Sequence, residues 1–396
     1  MKILHVINSL DPASGGTAAC VREVASGMNQ RGHTVNVALL SDSPNDPWVR
    51  DFPVPCICLS PSLLKYSATP RLLWWLSQHV GRFDVIIING LWQFQGLGTA
   101  LVAWLRRRPY IIYVHGMLGP LGKVSGWKYF KKLTYWILVE YWVVRSAAFA
   151  VFTSDEEARL ARGFFPFHRW KQAVVGNGVS LPEAVGPEST ARMLSRFPEL
   201  AGKSLVLCLG RLHPGKGCDI LLKAFAAELV RDAQYHVVFA GPQSDPDYGS
   251  ALRQLASALS IAERVTWTGM LTGGDREAIF AMSTVFVSPS HHENFGIAVI
   301  EAVARELPAI VTNKVNTHGI LSSGGAAIVC DDTVQGVRGA LRKWLAMSEH
   351  EKASMRDRQR ALYQQMFTPE RSAETLERTL LAAVSSRQQQ RPAGVR

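Results

Sequence analysis

Glu293 and Glu301 stand eight residues apart in the stretch HHENFGIAVIE, separated by a glycine, an aromatic and a short apolar run. The stretch follows the strand-like VFVSPS and reads as a loop opening a helix near Phe295 or Gly296, with Asn294 as a candidate cap. Glu293 then precedes the helix, and Glu301 lies about a turn and a half inside it at roughly 1.5 Å of rise per residue. Carboxylates so placed do not touch. They reach two ends of one ligand, while the amides of Gly296, Ile297 and Ala298 between them face an anion.

Three more loops carry chemistry. GRLHPGKGCD, from Gly210 to Asp219, follows the strand-like SLVLCLG and nearly spells a phosphate-binding P-loop, but Gly217 stands where magnesium would need Ser or Thr. A P-loop nucleotidase is therefore disfavoured, and Arg211 and Lys216 remain as two fixed positive charges suited to a diphosphate without a metal. The early NSLDPASGGTAAC follows ILHVI and opens a helix near Thr17; Gly15 and Gly16 clear side chains from backbone amides that an anion could approach. In YVHGMLGPLG, His115 ends a strand and Gly116 lets a ligand come close, a placement for hydrogen bonding or proton handling. Each loop read alone also has a structural explanation as a flexible turn, a solvated basic loop or a core histidine. A carboxylate pair for glycoside hydrolysis would face itself across about 5 to 10 Å. A hydrolase, however, has no use for two cations and a helix amino end converging on one point. The combination suits a sugar linked to a nucleotide diphosphate.

The elements that must position these loops alternate in kind. KILHVI, TVNVALL, DVIIING, YIIYVHG and AFAVFTS in the first half, and SLVLCLG, YHVVFAG, VTWTG, VFVSPS, PAIVT and AAIVC in the second, are apolar strands separated by helical stretches. That pattern predicts α/β architecture with parallel sheets covered on both faces. At 396 residues the chain has room for two domains, and the Gly-, Pro- and Ser-rich Val174–Ser189 stretch sets a boundary near 180. Open sheets of this kind bind ligands beyond the carboxyl ends of their strands, so two facing domains make a cleft. The expected division is 1–180, 181–366, a late helix at 367–386 and a frayed tail at 387–396.

With 47% hydrophobic and 19% charged residues the chain is globular, and its net charge of +11 predicts an anionic partner. Six scattered cysteines without a Cys-x-x-Cys pair read as reduced core residues of a cytosolic protein. MKILHVIN is too short an apolar run for a signal peptide, and LTYWILVEYWVV, interrupted by Glu140, is too short to span a bilayer. From Trp104 to Arg145 there are eight Lys or Arg, ten aromatics and one acid, a composition that fits either an anionic membrane surface or core aromatics beneath a solvated basic face. No nucleic-acid-binding motif accompanies the charge.

HHENFGIAVIEAVARELPAIVT resembles the Glu-x7-Glu segment of retaining GT-B glycosyltransferases, in particular family 4; GRLHPGKG resembles that family's phosphate loop and SGGTA its first-domain glycine loop. The resemblance runs from MKILHVIN to the final helix. It implies a GT-B fold: two Rossmann-like, doubly wound parallel-sheet domains facing a central cleft, acceptor side first and donor side second, with the last helix crossing back to the first domain. It further implies that Glu293 holds hydroxyls of the donor sugar and Glu301 the ribose. Arg211 and Lys216 bind the diphosphate with the amides of Gly16 and of Phe295 to Ala298, and the His115–Gly116 pair sits near the reacting sugar. Arg305 and Glu306 depart from the small-residue-and-glycine pair of many relatives and are expected to be exposed on the helix end.

The expected protein is a metal-independent retaining hexosyltransferase with no cofactor beyond its nucleotide-sugar co-substrate. Its acceptor is a glycan or polyprenyl-linked hydroxyl in bacterial exopolysaccharide, capsule or lipopolysaccharide assembly. Its expected location is the cytoplasm or, peripherally, the inner face of the cytoplasmic membrane. Guanine with mannose and uracil with glucose, galactose or an N-acetylated sugar all fit. The rival readings are a sugar-nucleotide epimerase or hydrolase on the same scaffold and a non-catalytic nucleotide-sugar-binding subunit.

Overall fold

In a computed structural model, which describes residues 1–12, 16–61, 66–119, 126–181 and 186–389, the chain forms two units. Unit 1 comprises Met1–Gly178 together with Thr368–Arg396, and unit 2 comprises Val179–Phe367.

The sheet of unit 1 contains β1 (Lys2–Ile7), β2 (Thr34–Leu39), β3 (Cys56–Cys58), β4 (Val85–Asn89), β5 (Tyr110–Tyr113), β6 (Phe149–Phe152) and β7 (Gln172–Val174). Its order is β3-β2-β1-β4-β5-β6-β7, every pair parallel. Alternation along the strands feeds two cores: Leu4, Val6, Ile86 and Ile88 enter one hydrophobic cluster, and Ile3, Ile7, Val85 and Ile87 the other. β3 and β7 are three-residue edge strands that the sequence pattern does not announce, and β7 ends on Val174, the first residue of the stretch expected to be a linker.

Unit 2 contains β8 (Ser204–Leu209), β9 (Tyr235–Ala240), β10 (Val265–Gly269), β11 (Ser283–Ser288), β12 (Ala309–Thr312) and β13 (Ile328–Cys330). They are ordered β10-β9-β8-β11-β12-β13 and again all parallel. Leu205 and Leu207 face one core, Val206 and Cys208 the other. Both sheets therefore have a topological switch point, between β1 and β4 and between β8 and β11, where the loops leaving adjacent strands diverge to opposite faces and open a crevice.

The chain returns to unit 1 through the helix Pro369–Gln389, which packs on the helix Gly16–Gln30 and buries Ala373, Leu376, Leu380 and Ala383. Glu377 on it pairs with Arg31 and, at 2.8 Å, with His33. The expected tail lies largely outside the described residues. Among those described, all six cysteines are free, and no helix is long and apolar enough to cross a membrane.

Candidate functional site

The two loops that carry most of the candidate residues leave β8 and β11, the strands flanking the switch point of unit 2. The loop after β8 turns at once into a short 3-10 helix, Pro214–Lys216, capped by His213, whose Nδ1 accepts from the Gly215 N–H at 3.1 Å. The Gly215 carbonyl accepts from the His291 N–H at 3.0 Å, which ties this loop to the one after β11. Gly217 is left-handed, at φ 63°, and a Cβ there would fall onto the Pro289 carbonyl. The Ser or Thr of a magnesium-binding P-loop thus cannot occupy this position, for steric reasons.

These links bring Lys216 to Glu293 as an ion pair. Glu293 is held by its backbone, its N–H donating to the Lys314 carbonyl and its carbonyl accepting from the Asn316 N–H, both at 3.0 Å. An ammonium has three donors, so the pair leaves Lys216 able to bond a second anion. Arg211 is exposed and has no hydrogen-bond or ion-pair partner among the described residues. Asn294 Oδ1 accepts from the Asn316 side chain at 3.2 Å, and the Phe295 carbonyl accepts from the Thr317 hydroxyl at 3.0 Å with its ring buried against Phe367.

The helix runs Ile297–Ala304, slightly later than the sequence suggests, and its N-cap is Gly296, not Asn294. Gly296 sits at φ 76°, a conformation in which a side chain would be strained, and no side chain caps the helix. The first-turn amides of Ile297 and Ala298 therefore have no partner inside the helix. Glu301 is buried, and its Oε2 accepts from Arg276 at 2.6 Å. Burial pushes the Glu301 carboxyl up, and Arg276 opposes the shift. Arg276, on the helix Gly273–Met282, is a site residue that sequence reasoning misses: it meets Glu301 only through the packing of two separate βα units. Arg305 is not exposed as expected. It is largely covered, pairs with Glu277 at 2.6 Å and lies 4.7 Å over the Phe280 ring, while the half-buried Glu306 pairs with Arg360.

Gly16 and His115 belong to unit 1. Gly15 lies outside the described residues. Gly16 opens its helix, and Asp42 pins the loop before it, accepting from the Ser9 hydroxyl at 2.5 Å and the Leu10 N–H at 2.6 Å. His115 does not end the strand as expected: β5 stops at Tyr113 and His115 opens the turn that follows, at φ 50°, stacked on Tyr113 at 5.2 Å, with Nε2 at 3.5 Å from Asn89 Oδ1. Asn89 in turn reaches His5 Nδ1 at 3.3 Å, so β1, β4 and the turn after β5 contribute one polar group each to a line in which His5 and Asn89 are buried. Burial lowers His115 to about 4 and His5 to about 3, so both rings are neutral near pH 7. The Gly116 N–H donates to the buried Glu157, which also accepts from the Thr153 N–H at 2.6 Å and hydroxyl at 2.7 Å. Among the described residues no group of three or more His, Cys, Asp or Glu gathers to hold a metal ion.

Comparison with known proteins identifies the family and the fold. The family model "Glycosyl transferases group 1" matches residues 194–361, and "Glycosyl transferase 4-like domain" matches 15–178. The chain belongs to this GT4-type glycosyltransferase family. Mannosylfructose-phosphate synthase of Agrobacterium fabrum is 31% identical over 36% of this chain, a match spanning only 33% of that protein. GDP-mannose:cellobiosyl-diphosphopolyprenol alpha-mannosyltransferase of Xanthomonas oryzae pv. oryzae is 25% identical over 83% of each chain. Anabaena HepE, solved in complex with UDP, superposes with a TM-score of 0.77 at 20% identity, covering 96% of this chain and 100% of that one. That likeness establishes the GT-B fold.

Proposed function

We propose that the protein is a retaining glycosyltransferase that moves a sugar from a nucleotide-diphosphate donor to a hydroxyl of a glycan or lipid-linked acceptor, without a metal ion, in assembly of a bacterial surface polysaccharide. The observation that carries this reading is the tie between the loops after β8 and β11. It gathers Lys216, Glu293 and the amides of Ile297 and Ala298 at one switch point, with Arg211 on the same loop as Lys216 and Glu301 further along the helix. Cations and amides suit the diphosphate, and Glu293 and Glu301 suit the hydroxyls of the sugar and the ribose.

In the reaction the bond from the anomeric carbon to the diphosphate oxygen breaks, and its electron pair stays on that oxygen. Arg211, Lys216 and the helix amino end stabilise the growing charge more in the transition state than in the ground state. The acceptor hydroxyl attacks from the face the phosphate leaves, and its proton passes to the departing phosphate oxygen, so configuration is retained. His115 contributes as a neutral hydrogen-bonding ring on unit 1. The Xanthomonas relative is named for GDP-mannose and a polyprenol-linked acceptor, and HepE was solved with UDP, so the guanine and uracil donors are the first to test.

The test is a thermal-shift series with UDP, GDP, ADP and their sugars in EDTA, followed by NMR of the product's anomeric configuration. A ligand at about 100 times its dissociation constant stabilises by roughly 2.7 kcal/mol. A selective shift for one nucleotide diphosphate and a retained anomer are expected. An inverted anomer, or binding that requires added metal, would reject the corresponding part of the proposal.

A further inference from the structure

Three neighbouring helices of unit 1 leave an apolar face that no described residue covers. The helix Phe94–Leu105 packs between Pro70–His79 and the run Trp136–Ser146. On it Leu97, Leu101, Trp104 and Leu105 are exposed at i, i+4, i+7 and i+8, which is one continuous stripe. Trp74 on one flank is 65% exposed; on the other, Trp127 is 77% and Leu138 68% exposed, joined by Phe130 and Trp142. The basic-aromatic segment is divided between two faces: Trp136, Tyr141 and Val144 fill the core, while Ile137, Leu138 and Trp142 beside them are exposed.

The charge of this face has one sign. The three helices and the Gly126–Tyr135 helix that continues them carry a single acid, Glu140, and it is buried. Arg71, Arg106, Arg107, Lys131 and Arg145 are exposed around the apolar stripe, and Arg145 lies 5.8 Å over the Trp142 ring. Beyond Arg145 opens a cavity of about 440 Å³ whose lining includes Arg169, Lys171, Tyr110 and Ser386 and no acidic residue.

We propose that unit 1 docks on an anionic lipid bilayer through this face, with Trp74, Leu101, Trp104, Leu105, Leu138 and Trp142 in the interfacial layer and the flanking arginines and lysines on lipid phosphates. Tryptophan rings, amphipathic and rigid, fit the headgroup region, and long basic side chains reach from an apolar surface to the phosphates. A second copy of this chain is disfavoured as occupant, because a self-complementary contact would set the same cations against each other. The docking stands whether or not the protein transfers a sugar. If it does, the helical run 126–146 joins the catalytic end of unit 1 to the bilayer, because it leads from the loop after β5, where His115 sits, back to the start of β6.

The test is co-sedimentation with vesicles of phosphatidylglycerol and phosphatidylcholine in equal parts, against phosphatidylcholine alone, for the wild type and two variants. One variant carries Trp104→Ser with Leu105→Ser; the other carries Arg106→Gln, Arg107→Gln and Arg145→Gln. None of these residues lies in the donor loops, and melting curves verify that each variant is folded. Wild type is expected on the mixed vesicles, released by salt, and the charge variant roughly a hundredfold weaker, at about fivefold per cation. The Trp104 and Leu105 variant should lose most binding even at low salt. Wild type left in the supernatant, or variants that sediment as wild type does, would overturn the proposal. So would a concentration-dependent dimer that the Trp104 and Leu105 variant abolishes without changing vesicle binding.

Discussion

At the scale of the residue, the proposed donor site rests on charges whose positions are set by backbone constraints. Lys216 is fixed by the His213 cap and by the left-handed Gly217, and Glu293 by two backbone hydrogen bonds. Lys216→Ala is expected to reduce kcat/KM by about 2 to 4 kcal/mol of transition-state stabilisation with little change in melting temperature; a rate within twofold of wild type would remove Lys216 from the reaction. The partly buried His115 behaves differently. Its folded pKa of about 4 lies below its ordinary value, so between those values the unfolded chain binds a proton that the folded chain refuses. Stability then falls on acidification through that window, by on the order of 1 kcal/mol per pH unit for one such group. His115→Asn, which tolerates the positive φ, should show a shallower loss between pH 6.5 and 4 in thermal melts, with activity reduced at every pH.

At the scale of the element, the helical run 126–146 contains a π turn, Trp136–Glu140, that the sequence shows only as an acid inside an apolar stretch. The turn directs Glu140 inward, where its carboxylate is buried and faces Gly96. Burial lifts Glu140 to about 8, the Trp92 backbone N–H opposing part of the shift. The folded state therefore holds a proton that the unfolded state releases near its ordinary pKa, and stability falls as the pH rises through about 8. Glu140→Gln should match wild type near pH 5 and melt higher than wild type near pH 8.5; parallel pH profiles would show the carboxyl to be ionised in the fold. The same contrast explains what is legible in sequence. Apolar runs declare β1, β4, β8 and β11, because strands buried on both faces need them. β3 and β7 escape because a three-residue edge strand needs no such run. The loops after β8 and β11 could be read because Gly217 and Gly296 in them stand at left-handed positions that exclude side chains, whereas Arg276 could not, because its pairing with Glu301 exists only after two βα units have packed.

At the scale of the whole molecule, unit 1 is completed by residues from both ends of the chain. Leu376 and Leu380 on the last helix are fully buried in its core. Leu376→Ala is expected to destabilise by about 2 to 5 kcal/mol, read as a lowered melting transition. Nucleotide affinity should be unchanged, since no donor-loop residue sits on that helix; a parallel loss of affinity would tie the helix to the site. The chain leaves unit 1 after Gly178 and re-enters it at Thr368, and these points are neighbours: Gly178 lies against Pro369, while the Val179 N–H donates to the Phe367 carbonyl at 2.9 Å. In genetic terms, unit 2 is a cassette carried inside the gene of unit 1, with its two ends side by side. A recombination that exchanged the codons between those points would deliver a different second module without cutting through either sheet.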